Sequence, residues 1–188
     1  MIFLVFIWVG GLVLLSKLKL KFFKFIVGSV GIFFFLIYYG NTVIETRIIK
    51  VLAFLLDFIA NKFSSLKVYP EYGMITIYGN SEIVTFFLDY ECTGILEILV
   101  FFSLVSFYPI YGLLGKIYYM TIGVIYITIV NVTRVLVIVF IVQVFGMKYF
   151  FLAHTILARI IFFVFVVALY YKTFTVKHIS KQSVGDHS

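Results

Sequence analysis

The chain has 188 residues, of which 64% are hydrophobic, 21% aromatic and only 12% charged, and its mean hydropathy is +1.18. A soluble domain of this length cannot cover that much apolar surface, so the composition excludes an ordinary water-soluble protein and points to a polytopic membrane protein. The net charge of +7 is not a nucleic-acid signature, because the lysines sit at the ends of apolar runs, and a single cysteine excludes an internal disulfide and argues against a dithiol redox enzyme.

The first apolar run is Ile2 to Leu15, IFLVFIWVGGLVLL, with no positive charge before it and no small-residue cleavage site. It is therefore read as a retained span rather than a removed signal peptide, and tilt or local thinning accommodates its shortness. The densest basic cluster follows, Lys17, Lys19, Lys21 and Lys24, and is placed in the cytoplasm. The N-terminus is then outside, and Phe22 to Gly40 returns outward. Residues 41–67 differ in character. Ile44, Ile48, Val51, Leu52, Leu55 and Ile59 share one helical face, and Arg47, Lys50, Asp57 and Asn61 share the other. That pattern predicts an amphipathic helix lying on the outer leaflet. After Pro70, MITIYGNSEIVTFFLDY has β-branched and aromatic residues around Gly79-Asn80 and reads as a β-hairpin outside the membrane.

Ile95 to Tyr111 then runs inward, Lys116 marks a cytoplasmic turn, and Tyr118 to about Thr133 runs back out. Val135 to Phe145 is only about 17 Å long as a helix, too short for a core of roughly 30 Å; it is either the end of a long tilted helix or an interfacial piece. The last span is about Ala153 to Tyr171, going inward. Residues 172–188, with Lys172, Lys177 and Lys181, form a cytoplasmic tail expected to be poorly ordered. The expected fold is all-α: one plasma-membrane helical bundle over residues 1–171, with about five spans. The interfacial amphipathic helix and the small extracytoplasmic hairpin occupy about 41–91.

The stretch FFLDYECTGILEILVFF contains the lone cysteine, Cys92, between Glu91 and Thr93-Gly94 at the head of an apolar run. Arg134 lies 18 residues beyond Lys116, and His154 lies 18 residues before Lys172. At helical rise each is roughly 27 Å from its cytoplasmic marker, near the outer face. Three segments thus bring a thiol, a guanidinium and an imidazole to one depth. A nearby cation lowers a thiol pKa, and the thiolate is the nucleophile. Cys92 can attack a peptide carbonyl to form a thioester, with His154 taking the thiol proton and returning it to the leaving amine. Arg134 stays charged, so its use is to hold the oxyanion or the substrate carbonyl.

Each residue also has a plain structural use. A lone cysteine in a membrane helix packs as a small hydrophobe. His154 can cap a helix or hydrogen-bond a neighbouring span. Arg134, inside TIVNVTRVLVIVFIV, is costly there unless it serves a site or finds a partner. Glu97 and Arg159 each lie five residues below the proposed site, and are expected to form a buried ion pair between descending helices.

The motif ECTG at Glu91 to Gly94, then NVTR at Asn131 to Arg134, then His154 opening the last span, resembles the exosortase/archaeosortase family, in particular its short Gram-positive exosortase G type. The resemblance covers roughly Phe86 to Tyr171, and the N-terminal half only in general hydropathy. It implies that Cys92 is the nucleophile, that Arg134 is the family's invariant arginine, and that His154 occupies the third position, where archaeal relatives carry arginine. Glu91, Glu97, Asn131 and Arg159 are candidate supporting residues. The family implies a membrane cysteine transpeptidase or protease. Its substrates would be membrane-anchored secreted proteins with a C-terminal sorting signal, cut at the outer face and transferred to an acceptor. Thiol acyl transfer needs no cofactor. No H-E-x-x-H metal motif and no G-x-S-x-G serine is present, and the three histidines are scattered. The alternative is a non-catalytic membrane subunit or scaffold of a polysaccharide or protein export system. A transporter fits less well, because the polar residues collect near one face instead of lining a path.

Overall fold

The computed structural model describes residues 2–62, 66–78, 83–88 and 93–176, and at 2, 39–45 and 176 the backbone alone. The helices are α1 (Ile2–Lys17), α2 (Lys21–Ala60), α3 (Ile95–Phe107) and α4 (Leu113–Phe145). The last helical stretch is composite. A 3-10 turn (Met147–Tyr149) leads into a single α turn, α5 (Phe150–Leu152). A π-helical segment (Ala153–Leu157), then α6 (Ala158–Tyr170) and a second π segment (Tyr171–Val176) complete it. The tail beyond Val176, with Lys177 and Lys181, lies outside the described residues.

Among the described residues, three stretches are long and apolar enough to cross a membrane: Lys21–Tyr38, Leu113–Phe145 and Met147–Thr175. α1 and α3 are apolar but shorter. α3 rises only about 20 Å, less than the roughly 30 Å of a bilayer core. By sequence this span runs to Tyr111. It stops at Phe107 because Pro109 has no N–H and disfavours the helical conformation at Tyr108. Val135 to Phe145 is the end of one long helix, α4.

Residues 41–67 are not a separate helix. α2 runs unbroken from Lys21 to Ala60, and Leu66–Tyr69 is instead a strand, β1. With β2 (Met74–Tyr78) and β3 (Ile83–Phe87) it makes an antiparallel sheet of order β1-β2-β3. The β2–β3 hairpin is the expected one, paired from Met74↔Phe87 to Tyr78↔Ile83. Its turn at Gly79-Asn80 lies outside the described residues. The third strand was hidden by its four-residue length.

The chain divides into two compact units, Met1–Asn41 with Leu96–Val124, and Thr42–Ile95 with Ile125–Ser188. In the first unit small residues admit aromatic rings. A Cβ on Gly28 would collide with the Phe107 ring, one on Gly31 with the Trp8 indole, and one on Gly123 with the Phe101 ring. Without a hydrophobic driving force in lipid, such close approach is what holds helices together. Trp8 Nε1 donates to the Val27 carbonyl at 2.9 Å, so the indole is inserted with its polar atom satisfied.

The second unit has a continuous apolar core. Leu52, Ala53, Leu56 and Ala60 of α2 meet Leu66, Val68, Ile75, Ile77 and Val84 of the sheet. Val132, Val135, Ile138, Val139 and Val142 of α4, with Ala158 of α6, complete it. A small sheet needs such a face to persist, and each fully buried Leu or Ile contributes about 1.5–3 kcal/mol. The buried face of α2 is therefore the one carrying Ala53 and Ala60, whose small side chains let the sheet approach. Val51 and Leu55, expected to share the apolar face with Leu52, point outward with Phe54 and Phe58.

Candidate active site

The ECTG stretch is described from Thr93 onward; Glu91 and Cys92 lie outside the described residues. Thr93 is buried, and Gly94 turns the chain into α3 with a φ of 67°. That left-handed conformation is open to glycine and costly for other residues. The turn is seated closely. A Cβ on Gly94 would stand 3.5 Å from Ile127 Cγ2, 3.5 Å from Phe162 Cζ and 3.6 Å from Asn131 Cγ.

α4 presents Ile127, Asn131 and Arg134 at helical spacings of four and three, so they share one face. Asn131 is fully buried and Arg134 is 3% exposed. The Arg134 guanidinium carbon lies 5.6 Å from the centre of the Phe162 ring. A delocalised, weakly hydrated guanidinium suits this cation–π arrangement better than an ammonium would. Neither Asn131 nor Arg134 is without a partner. Phe162 thus lies beside both motifs: Gly94 of ECTG and the arginine of NVTR.

His154 is half-buried within the π-helical segment Ala153–Leu157. Its ring stacks on Phe150, with centroids 5.5 Å apart and planes at 16°. Phe150 in turn packs on Phe86 of β3 at 5.5 Å. His154, Ala158 and Phe162 follow one another at four-residue steps, and Ala158 is fully buried in the core that holds Val132 and Val135. The His154 and Phe162 positions are therefore about two turns apart along the helical stretch. π segments of this kind recur at functional sites, because they aim side chains that a regular helix cannot.

The structure brings Gly94, Asn131 and Arg134 together and sets His154 on the helical stretch that contacts them. The expected approach of the Cys92 sulfur to His154 and Arg134, within about 4–7 Å, concerns an atom outside the described residues. Glu97 is half-buried on α3, and Arg159 is exposed on α6. Arg159 is thus not the buried cation that was expected, because it follows the buried Ala158 by one residue and points away from that stripe. Phe162, Phe150 and Phe86 were not foreseen. In a chain with 24 phenylalanines, no spacing distinguishes those that support a site from those that fill a core.

Among the described residues, no three of His, Cys, Asp or Glu converge as a metal site. A cavity of about 340 Å³ between α2 and the β1–β2 turn is lined by Thr46, Ile49, Lys50 and residues 70–73 and holds none of the residues above. The chain matches no protein-family model, no curated protein and no solved structure.

Proposed function

We propose that the protein is a membrane cysteine transpeptidase or protease of the exosortase type, with Cys92 as nucleophile, Arg134 as oxyanion or carbonyl holder, and His154 as the proton-transfer group. The observation that carries this reading is the seating of the Thr93-Gly94 turn against Asn131 and Phe162, with Arg134 buried over the same ring. Gly94 of ECTG and Asn131 and Arg134 of NVTR, distant in sequence, lie together, which is unexpected of an incidental match.

In the proposed mechanism Cys92 attacks the scissile carbonyl of a substrate chain. Its proton passes to His154, and the developing oxyanion is held by Arg134. Collapse of the tetrahedral intermediate breaks the C–N bond, and His154 protonates the departing amine. A second nucleophile, from an acceptor or water, then attacks the thioester and restores the thiol. The substrate is a secreted protein whose C-terminal sorting signal, a short motif with a membrane helix and a basic tail, places the cut at the outer face.

The membrane arrangement belongs to the same proposal. We infer about five spans, with α1 and α3 as short tilted ones, in a plasma-membrane protein whose site faces outward. The C-terminal half of α2 lies in the outer interface. Its outward stripe of Val51, Phe54, Leu55 and Phe58 supports this, as does Lys62 placed 5.9 Å from the Phe58 ring centre.

The test is co-expression with candidate proteins bearing C-terminal tripartite signals. Wild-type protein is expected to shift the mass of their C-termini, and Cys92→Ala is expected to abolish that shift. Processing that persists in Cys92→Ala would remove the catalytic assignment and favour the scaffold alternative.

A further inference from the structure

We propose that the lysine-rich end of the first unit, where α1 turns into α2 and α3 turns into α4, binds the phosphate of an anionic phospholipid headgroup. Segments 1–41 and 96–124 contain five lysines and one carboxylate, Glu97. Four of the lysines, Lys17, Lys19, Lys21 and Lys24, lie at the α1–α2 turn. The fifth, Lys116 in the first turn of α4, is brought to the same end by the packing of the Phe25 ring of α2 on Tyr108, just beyond α3, with centroids 5.9 Å apart. Glu97 is nine residues before Ser106 on α3, about 14 Å along the helix, and does not neutralise this end.

Lys24 and Lys116 form the inner pair. Both are half-buried, whereas Lys17, Lys19 and Lys21 are exposed. Lys24 Nζ donates to Ser16 Oγ at 3.1 Å, and Lys116 Nζ donates to the Ser106 carbonyl at 2.6 Å. Both acceptors are neutral, so they orient the ammoniums without cancelling their charge. An ammonium has three donors, so a phosphate oxygen can be taken up without breaking either bond. Two ammoniums oriented at the same end of the unit repel each other, whereas an anion bound there is attracted by both.

The surroundings favour a lipid over free phosphate. Leu18, Leu20, Leu113 and Leu114 flank the lysines and are all exposed. Tyr111 stacks on Tyr119 at 4.4 Å beside them, the kind of aromatic girdle found at headgroup depth. A soluble anion has no use for that apolar rim, whereas a phospholipid covers it with its acyl chains.

The experiment is native mass spectrometry of the full chain released from nanodiscs containing phosphatidylcholine and phosphatidylglycerol. Wild-type protein is expected to retain phosphatidylglycerol in preference to phosphatidylcholine. The double variant Lys24→Gln/Lys116→Gln should lose that preference by about 30-fold, the effect of two charges at an anionic surface. Lys17→Gln/Lys19→Gln should lose less, and Lys24→Arg/Lys116→Arg should keep it. Unchanged retention in the inner-pair glutamine variant overturns the proposal, as does equal retention of the two lipids. Displacement of the lipid by millimolar inorganic phosphate overturns the lipid assignment. Should the glutamine variant fail to fold, retention by wild-type protein that is insensitive to ionic strength overturns it instead.

Discussion

Gly94 shows how one residue's conformation can carry a site. The space a side chain would meet there, 3.5–3.6 Å from its neighbours, is ordinary contact, but its φ of 67° is not ordinary for an L residue. Gly94→Ala is therefore expected to cost about 1–2 kcal/mol through the backbone, read as a shifted midpoint in a mixed-micelle unfolding titration. Gly112 has open space around it and no left-handed strain, so Gly112→Ala should stay within about 0.5 kcal/mol. Ser29 makes the opposite case. It is buried, and its Oγ has no hydrogen-bond partner among the described residues. Removing an unsatisfied buried hydroxyl is neutral or favourable, so Ser29→Ala should leave stability unchanged or raise it by up to about 1 kcal/mol. Arg134 separates structure from chemistry. Arg134→Lys keeps the charge over Phe162 but loses the planar fork. On the proposed mechanism it should lower substrate processing about 100-fold or more, with a smaller loss of stability of about 1 kcal/mol from the weaker cation–π contact. A loss of stability in proportion to activity would make Arg134 a packing element.

At the scale of elements, the π segment beside His154 is the feature hydropathy could not reveal. Ala153 and Ala158 are both fully buried although five residues apart, and the buried stripe then continues through Phe162, Val166 and Leu169. The segment holds one residue more than a regular turn would. Deleting the exposed Ile156 should therefore convert it to α-helix and keep Ala153 and Ala158 on one stripe, with stability largely retained. Deleting Val164, inside α6, rotates everything on one side of it by about 100° and should unfold the last helix from its core. Circular dichroism and melting in micelles distinguish the two. The long apolar runs were legible from sequence because twenty apolar residues admit few alternatives in a membrane. Boundaries are legible only where a proline marks them, and a span read to Tyr111 runs past Pro109, which ends α3 at Phe107. The face of α2 was misjudged because a wheel that counts large apolar residues ignores Ala53 and Ala60, and β1 was missed because four alternating residues carry little signal. Arg134 and Asn131 could be found as candidates because charge and amide are rare in such runs, and Gly94 only as part of the ECTG motif. Their aromatic supports could not.

For the whole molecule, orientation is the property on which the outer-face site depends, and the single thiol makes it measurable without engineering a background. The lysines of the α1–α2 turn set the proposed topology, since cytoplasmic turns collect positive charge. Lys17, Lys19, Lys21 and Lys24 outnumber the cations of any comparable segment. If they are inside, the 18-residue interval from Lys116 to Arg134 lies entirely on the continuous helix α4, and carries Arg134 about 27 Å toward the outside. A membrane-impermeant maleimide applied to intact cells should then label the wild-type chain at Cys92. Cys92→Ala should remove the label. In that background Ile83→Cys, at a side chain 69% exposed on β3, should restore it without permeabilisation. Lys17→Cys in the same background should be labelled only after the membrane is opened. Labelling of Lys17→Cys in intact cells together with protection of Ile83→Cys would invert the chain. A thiol facing the cytoplasm cannot meet a sorting signal as it emerges outside, so that outcome would remove the sorting function even if Cys92, Arg134 and His154 prove to be adjacent.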